Sequence, residues 1–425
     1  MSGWRKLVRE LESRIELLEQ ENESLKRRLL AYENPHTPPS LLRKKKPPKK
    51  EPSGKLGAPV GHPRYEREEP KPTMSIEYFE ETCPHCNSKL GKPFKIERIV
   101  EEEIPEPQPV EVTEHLVRHY NCQICKKHIV AKNNAPKGRF GKNILTHVTL
   151  LKFDDRLPLR KAVSSLQRHY GITITNVAAL NATEDVALRL EKPYKQLIRR
   201  IRKAKVIYAD ETKIKVNGVT YWLWTFVTEK ETLFVIRKSR AKKVIEEMLG
   251  KEFKGVICCD GWTAYSQYTS NLQRCWAHLL REAKHLAEKF SEFEGFYQSF
   301  KKLFEKIKSV REKPPSLIGR EEIKGKLTLE LEQIIQQMNS YKEFRKFSTK
   351  VKNGIEYWFT CIINLLVEPT NNAAERALRE LVVQRKIIGG LRREKGANIM
   401  QTVMSMITTW KQRGLSLFPT MKSYL

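Results

Sequence analysis

Apolar residues open the chain in a heptad. Trp4, Leu11, Leu18 and Leu25 fall at d, and Val8, Ile15, Asn22 and Leu29 fall at a. β-branched residues at a with Leu at d favour a two-stranded parallel coil, and a lone Asn at a fixes register and partner number. Residues 1–32 therefore read as a coiled-coil dimerisation helix; an amphipathic helix packed on its own chain fits the same pattern. Periodicity stops over 33–79. Ten prolines lie between 33 and 72, with the run Arg43, Lys44, Lys45, Lys46, Lys49, Lys50 and Lys55. Proline blocks helix and ladder bonding, so this segment reads as a basic linker. Its lysines Lys44, Lys45 and Lys46 suit phosphate contacts that position a protein without reading sequence; a solvated tether is the plainer alternative.

Residues 80–135 alternate as strand at Glu111-Val112 and at His115 to Tyr120. Residues 140–204 are mainly helical: Pro158 to Tyr170 make one helix, Gly171 ends it, and Thr173 to Thr175 begin the next. Two helices joined by a short Gly-containing turn suit a helix-turn-helix reader, though any helical hairpin looks similar. At 205 the pattern changes to strands. Val206 to Ala209 lead into Asp210, Asn217-Gly218 is a hairpin signal, and Tyr221 to Val227 and Thr232 to Arg237 follow. A helix is expected at about Ala241 to Leu249. The apolar run Gly255 to Cys259, without polar alternation, suggests a central strand buried on both faces and ends at Asp260. Three antiparallel strands, a helix and a parallel return strand give the order of an RNase H-like core, with one aspartate on each of two neighbouring strands. The core reads as 205–284 and 367–412, interrupted by a charged helical insertion at 285–366 and followed by a tail at 413–425. The fold class is thus α/β.

The 425 residues leave room for two or three domains, and 79 basic against 50 acidic residues leave a net charge of +29. A field of that sign attracts polyanions, nucleic acid first and a membrane surface second. No run of roughly 18 apolar residues exists to span a bilayer, and the charged N-terminal pattern has no apolar signal core. The expected place is the cytoplasm, at the nucleoid. Eight cysteines in such a chain favour metal over disulfides. Cys83-Pro84-His85-Cys86 and Cys122-Gln123-Ile124-Cys125 supply the four thiolates of one structural zinc, making 80–135 a zinc-ribbon-like DNA-binding module. The 35 intervening residues exceed the usual ~15–20, so two unrelated pairs remain the alternative. His85 reads as a spectator.

Two carboxylates at a sheet centre are costly unless they bind metal or protons. Phosphoryl transfer on DNA uses two divalent ions roughly 3.5–4 Å apart. Magnesium, or manganese, fits because it takes oxygen ligands and keeps exchangeable waters. Asp210 is placed to bridge both ions, with Asp260 and a third carboxylate holding one each; as a lone pair the aspartates would more simply end strands. The third carboxylate is Glu375, in Pro369-Thr370-Asn371-Asn372-Ala373-Ala374-Glu375, where a helix starts near Asn372. If Asn372 is the N-cap, Glu375 is also a capping-box acid. Glu375, Arg379, Val382 and Lys386 share a helix face, and Arg385, Arg392 and Arg393 extend the basic surface toward DNA; a solvated basic helix accounts for those last three equally.

Five segments, "CPHC…CQIC", "YADETKIKVNGVTYWLWTFVT", "CCDGWTAY", "QRCWAHLLREAK" and "EPTNNAAERALRELVVQRKIIGG", resemble the TnpC-type transposases of insertion sequence sixty-six over about residues 80–400. The resemblance implies an RNase H-like DDE catalytic domain with a helical insertion, an N-terminal zinc module and a helix-turn-helix. Carried over, its triad is Asp210, Asp260 and Glu375, catalytic residues and magnesium ligands together. The 114 residues between Asp260 and Glu375 accommodate the insertion. The lysine-heavy, glycine-poor linker departs from the family pattern. Cys275 and His278 lie i, i+3 on a helix and could reach one ligand. Trp262 could stack on a splayed base. For Trp262 and His278, as neighbours of the active site, core packing is the competing account. The implied activity is binding of the element's terminal inverted repeats, metal-dependent cleavage and strand transfer. The implied partners are double-stranded DNA at element ends and target, a homodimer or larger synaptic assembly, and accessory proteins of the element. A transposase-derived regulator without catalysis would keep the DNA-binding modules, but the presence of all three carboxylates argues against decay. An RNase H-type or junction nuclease would share the metal site but gives no reason for the zipper, zinc module and insertion.

Overall fold

The structure, a computed structural model, describes residues 14–22, 71–102, 109–131, 135–136 and 138–425. The chain divides into two compact units, residues 42–108 and residues 1–41 together with 109–425. Of the expected coiled coil, residues 14–22 are described, as helix α1 with every residue exposed; the rest of the heptad, and Lys44, Lys45 and Lys46, lie outside the described residues. In the smaller unit an isolated antiparallel bridge between Thr82 and Lys89 closes the turn through Cys83 and Cys86. Its Phe94, Ile96 and Ile99 are exposed.

In the larger unit, β1 (His119–Asn121) pairs antiparallel with β2 (His128–Val130). Of the strand expected at Glu111-Val112 and at His115 to Tyr120, only His119 and Tyr120 fall in β1, and residues 111–118 find no ladder partner among the described residues. Four helices follow: α2 (Lys142–Phe153), α3 (Leu159–Tyr170), α4 (Asn176–Arg189) and α5 (Glu191–Ile201). Gly171 ends α3 in the left-handed region at φ 64°, which costs glycine little. Thr175 caps α4 by accepting the Ala178 N–H. The expected helical pair is present, with a short turn between.

The main sheet has the order β5-β4-β3-β6-β7, formed by β3 (Val206–Val216), β4 (Val219–Val227), β5 (Thr232–Arg237), β6 (Val256–Cys259) and β7 (Leu272–Arg274). Helix α6 (Lys242–Leu249) carries the crossover from β5 to β6, and α7 (Thr263–Tyr268) joins β6 to β7. Strands β3, β4 and β5 are antiparallel neighbours, and β6 runs parallel to β3. The hairpin turn is Asn217-Gly218, both at positive φ, the pairing a type I′ turn demands. Strand β7 was not expected. Its Leu-Gln-Arg has no apolar run, because Gln273 is buried for its hydrogen bonds, accepting from Cys361 N over 2.7 Å and donating to Trp358 O over 3.1 Å.

Helix α8 (Trp276–Lys289) straddles the expected start of the insertion at 285, and α9 (Glu294–Glu312), α10 (Leu317–Met338), α11 (Arg345–Lys352) and α12 (Thr360–Ile363) lie within its expected bounds. They bury an aromatic core in which Trp276 packs on Phe359 and Phe300 on Phe347, in one cluster with Cys258 of β6. Arg311 ties the exit of the insertion, donating to the carbonyls of Cys361 and Val367, each over 2.7 Å. The chain then returns to the sheet as α13 (Asn372–Ile388), α14 (Glu394–Gln412) and α15 (Leu417–Ser423).

Helix α14 seals the open edge of β5 with polar side chains. Ile236 N donates to Gln401 Oε1 over 3.0 Å, Phe234 N to Ser405 Oγ over 2.8 Å, and Thr232 N to Thr409 Oγ1 over 3.1 Å. The match is metrical. Four helix residues rise about 6 Å and two strand residues about 6.8 Å. Every inward N–H of this edge strand finds a partner, so the edge is closed to a further strand.

Candidate active site

The register of β3 and β6 brings the two aspartates together. Tyr208 lies opposite Cys258. Two residues further along each strand stand Asp210 and Asp260, and the period of two keeps each on the face of its counterpart. Both are half-buried, Asp210 within β3 just past the stretch that pairs with β6, and Asp260 directly after the end of β6. Each carboxylate is anchored by a backbone amide: Glu211 N donates to Asp210 Oδ1 over 2.9 Å, and Trp262 N to Asp260 Oδ1 over 2.8 Å. Burial raises the Asp210 pKa well above the usual carboxylate range, and the charges of Glu211, Asp260 and Glu375 push it further. Asp210 thus lies in the field of both Asp260 and Glu375, which come from separate segments.

Glu375 arrives on α13. The N-cap of that helix is Asn371, one residue earlier than expected, and its side chain does not cap. Glu375 is therefore the fourth helical residue, and the capping-box geometry is lost. Asn371 does other work: its Nδ2 donates to Ala209 O over 2.8 Å, and its backbone N donates to Cys275 Sγ over 3.1 Å. The start of α13 is so fixed to β3 beside Asp210 and to the start of α8. Glu375 Oε1 lies 3.4 Å from His278 Nδ1, and its Oε2 3.5 Å from Arg281 Nη2. Cys275 Sγ, a ring nitrogen of His278 and a Glu375 oxygen all lie within 4.8 Å of one another. Burial pushes the Cys275 thiol up to about 11, against the pull of the amides of Asn371, His278 and Ala277.

Behind the aspartates sits a buried network that sequence reasoning missed. Glu211 points to the opposite face of β3 from Asp210. It accepts from Tyr265 Oη over 2.6 Å and from Arg240 Nε over 2.8 Å. Burial, followed by the charge of Asp260, raises its carboxyl to about 7. The signal was available, since strand alternation places any acid beside Asp210 on the inner face. Trp262 belongs to the same network. Its ring stacks on Arg240 and its indole N–H is bonded to Arg240 O.

Among the basic residues, Arg379, Lys386, Arg392 and Arg393 are exposed on α13 and the turn after it. Arg385 is half-buried and donates to the Lys213 carbonyl and, over 3.3 Å, to Thr212 Oγ1. A cleft of about 1470 Å³ runs beside the start of α13, with Lys205, Lys230 and Arg376 in its walls. The three acids lie outside it. The cysteine pairs fall in separate units, and each forms the same turn. Cys83 O accepts from Asn87 N and Cys122 O from Lys126 N, each over 2.9 Å, with Asn87 and Lys126 at positive φ. A hydrogen bond from Ser88 lowers the Cys86 pKa, and backbone contact with Cys125 lowers that of Cys122; both shifts favour thiolate.

The sequence model of the family described as "Transposase IS66 family" matches residues 137–399. An uncharacterized protein of Sinorhizobium fredii, y4qI, is 22% identical over 318 residues, which is 64% of this chain and 57% of that protein. The match spans little more than half the length of that relative. The family match takes in all three acids and α2 to α13, and leaves the cysteine pairs outside. No helix among the described residues is long and apolar enough to cross a membrane.

Proposed function

We propose, from the premise that this chain belongs to the IS66 family of transposases, that it is a DDE transposase. It binds the terminal inverted repeats of its element, cleaves the strands there and joins the ends to target DNA. The observation that carries this reading is the placement of Asp210 and Asp260 on neighbouring strands by ladder register, with the start of the Glu375 helix tied by Asn371 to Ala209 beside Asp210. The strand order supports an RNase H-like reading of the core.

The acids fit divalent cations on their own evidence. Asp210 is half-buried beside further acids, and Glu375 Oε1 is buried with no hydrogen-bond partner among the described residues. Partly buried carboxylates set beside one another are costly without cations. Two magnesium or manganese ions, when bound, would supply an activated oxygen nucleophile and stabilise the leaving oxygen. Asp210 would contact both ions, and Asp260 and Glu375 one each. The Trp262 amide holds the Asp260 carboxylate, and Asn371 fixes the start of the Glu375 helix to β3, so little reorganisation would be left for the reaction. Arg379, Lys386, Arg392 and Arg393 would receive backbone phosphates of double-stranded DNA, and the exposed start of α4 would enter a groove.

The cysteine turns read as zinc ligands. The exposed Phe94, Ile96 and Ile99 of the smaller unit are expected of a module whose folding energy comes largely from metal. The N-terminal heptad supports a homodimer or a larger synaptic assembly, with accessory proteins of the element as further partners. The protein would act at the nucleoid.

The test is DNA-end cleavage. DNA flanking the gene is incubated with purified protein and Mg²⁺ or Mn²⁺, and wild type is compared with Asp260→Ala. Metal-dependent breaks at the element ends, absent in the variant, are the expected result. Specific end binding without cleavage by either protein would instead favour a transposase-derived DNA-binding regulator.

A further inference from the structure

We propose that Cys275, His278 and Glu375 form a binding site for one thiophilic divalent cation of the zinc and cadmium type, and that filling it withdraws Glu375 from the magnesium-dependent reaction. The regulatory half rests on the reading of Glu375 as the third carboxylate. The binding half does not.

The donor set is the first support. Sulfur, imidazole nitrogen and carboxylate oxygen lie within 4.8 Å of one another. His278 Nδ1 and Glu375 Oε1 are 3.4 Å apart. Two ligands on one tetrahedral ion, with bonds of about 2.0–2.2 Å, stand roughly 3.3–3.6 Å apart, so this pair needs almost no movement. Cys275 is the N-cap of α8 and His278 sits in its first turn. The i, i+3 spacing puts both on one face. Glu375 approaches from α13. Three protein donors leave a fourth position for water, the pattern of an open zinc site.

The surroundings are the second support. Glu375 Oε1 is buried and makes no hydrogen bond among the described residues, a cost that a coordinated cation removes. Arg281 holds the other oxygen at 3.5 Å, but its side chain is 45% exposed and can turn to solvent. Magnesium does not select a sulfur ligand, whereas softer ions do. On binding, the Cys275 S–H bond is exchanged for a sulfur–metal bond and the proton leaves to solvent. No electrons are transferred.

The experiment uses the full chain. Wild type, Cys275→Ser and His278→Ala are equilibrated in the same buffer of defined free zinc, desalted, and their zinc counted by atomic emission. Wild type should hold one more zinc per chain than either variant, with the zinc of the cysteine turns common to all three. Zinc should also raise the melting temperature of wild type more than that of His278→Ala, which is half-buried and tolerates truncation better than Cys275. Equal zinc counts in the three proteins would overturn the site. Zinc is then titrated into magnesium-supported cleavage, each protein scaled to its own zinc-free rate. Loss of an outer-shell partner alone weakens metal affinity by about 10–100-fold, and Cys275→Ser replaces a direct ligand, so the inhibitory zinc concentration should rise by at least about tenfold. An unchanged inhibition curve with a reduced count would overturn the regulatory half. A reduced count with no cleavage by any protein would leave the cation site standing and overturn the transposase reading.

Discussion

The guanidinium of Arg240 lies 3.8 Å from the ring centroid of Trp262, and the Trp262 indole donates to the Arg240 carbonyl over 3.0 Å. Trp222 lies on the same guanidinium at 4.5 Å. One cation therefore joins Glu211 of β3 to the loop whose backbone N–H holds Asp260. Arg240→Ala leaves the Glu211 carboxylate buried without its cation, which costs about 3–5 kcal/mol for a broken buried pair. Guanidinium chloride unfolding should show a loss of that order, and cleavage should fall more than end binding because the Asp260 loop is loosened. A loss below roughly 1 kcal/mol, the worth of an exposed pair, would mean that the pair is solvated.

Glu211 also gives stability a pH dependence with a definite sign. Its carboxyl is raised from 4.5 to about 7, first by burial and then by Asp260. Between these values the folded chain holds a proton that the unfolded chain has released. Stability is then greatest below pH 4.5 and falls as pH rises through 7. The full decline from this residue is on the order of 3 kcal/mol. Asp210 is shifted in the same direction, so it adds to the decline. Unfolding curves in chelator at pH 5 and pH 8 should show a smaller decline for Glu211→Gln than for wild type. Parallel declines would remove Glu211 from the account. Added Mg²⁺ should oppose the decline, because cation binding requires the ionised acids.

Asn371 ties the helix of Glu375 to the strand of Asp210. Asn371→Ala removes the donor to the buried Ala209 carbonyl, at a cost of about 1–3 kcal/mol for an unsatisfied buried group. Its Oδ1 is buried without a partner among the described residues, so the truncation recovers part of that cost. The expected signature is a modest stability loss with a larger fall in cleavage rate, end binding being kept. Loss of binding and rate in equal measure would argue that Asn371 serves only the fold.

How much of this was legible in the sequence depends on the kind of signal. Asp210 and Asp260 end apolar runs, and strand period fixes their faces, so their meeting could be read directly. Glu375 was legible from the Pro-Asn helix start, but the cap was misplaced by one residue because the Asn371 side chain is taken by Ala209 O rather than by the helix. Tertiary hydrogen bonds of that type leave no local trace. The same holds for Gln273, which makes β7 a strand without an apolar pattern. Helix α14 did carry a readable sign. Gln401, Ser405 and Thr409, spaced by four, form a polar stripe on one face of a helix that is largely buried, and that stripe meets a backbone edge. The meeting of Cys275 and His278 with Glu375 was half legible: the i, i+3 spacing showed one face, and only the return of α13 supplied the third donor.

The basic residues on α13 separate into two kinds, and salt dependence distinguishes them. Arg379 and Lys386 are exposed on the face of Glu375. Arg385 spends its guanidinium on Thr212 and the Lys213 carbonyl, and burial lowers its pKa. Each phosphate contact contributes roughly 0.9 to the slope of log affinity against log salt. Arg379→Ala and Lys386→Ala should each reduce that slope by about 1, uniformly across DNA sequences. Arg385→Ala should leave the slope unchanged and lower stability, since it uncouples α13 from β3. Fluorescence anisotropy on end-containing and unrelated duplexes over a salt series measures both effects. An unchanged slope in Arg379→Ala and Lys386→Ala would remove this face from the DNA path and leave α13 with Glu375 alone as its functional residue.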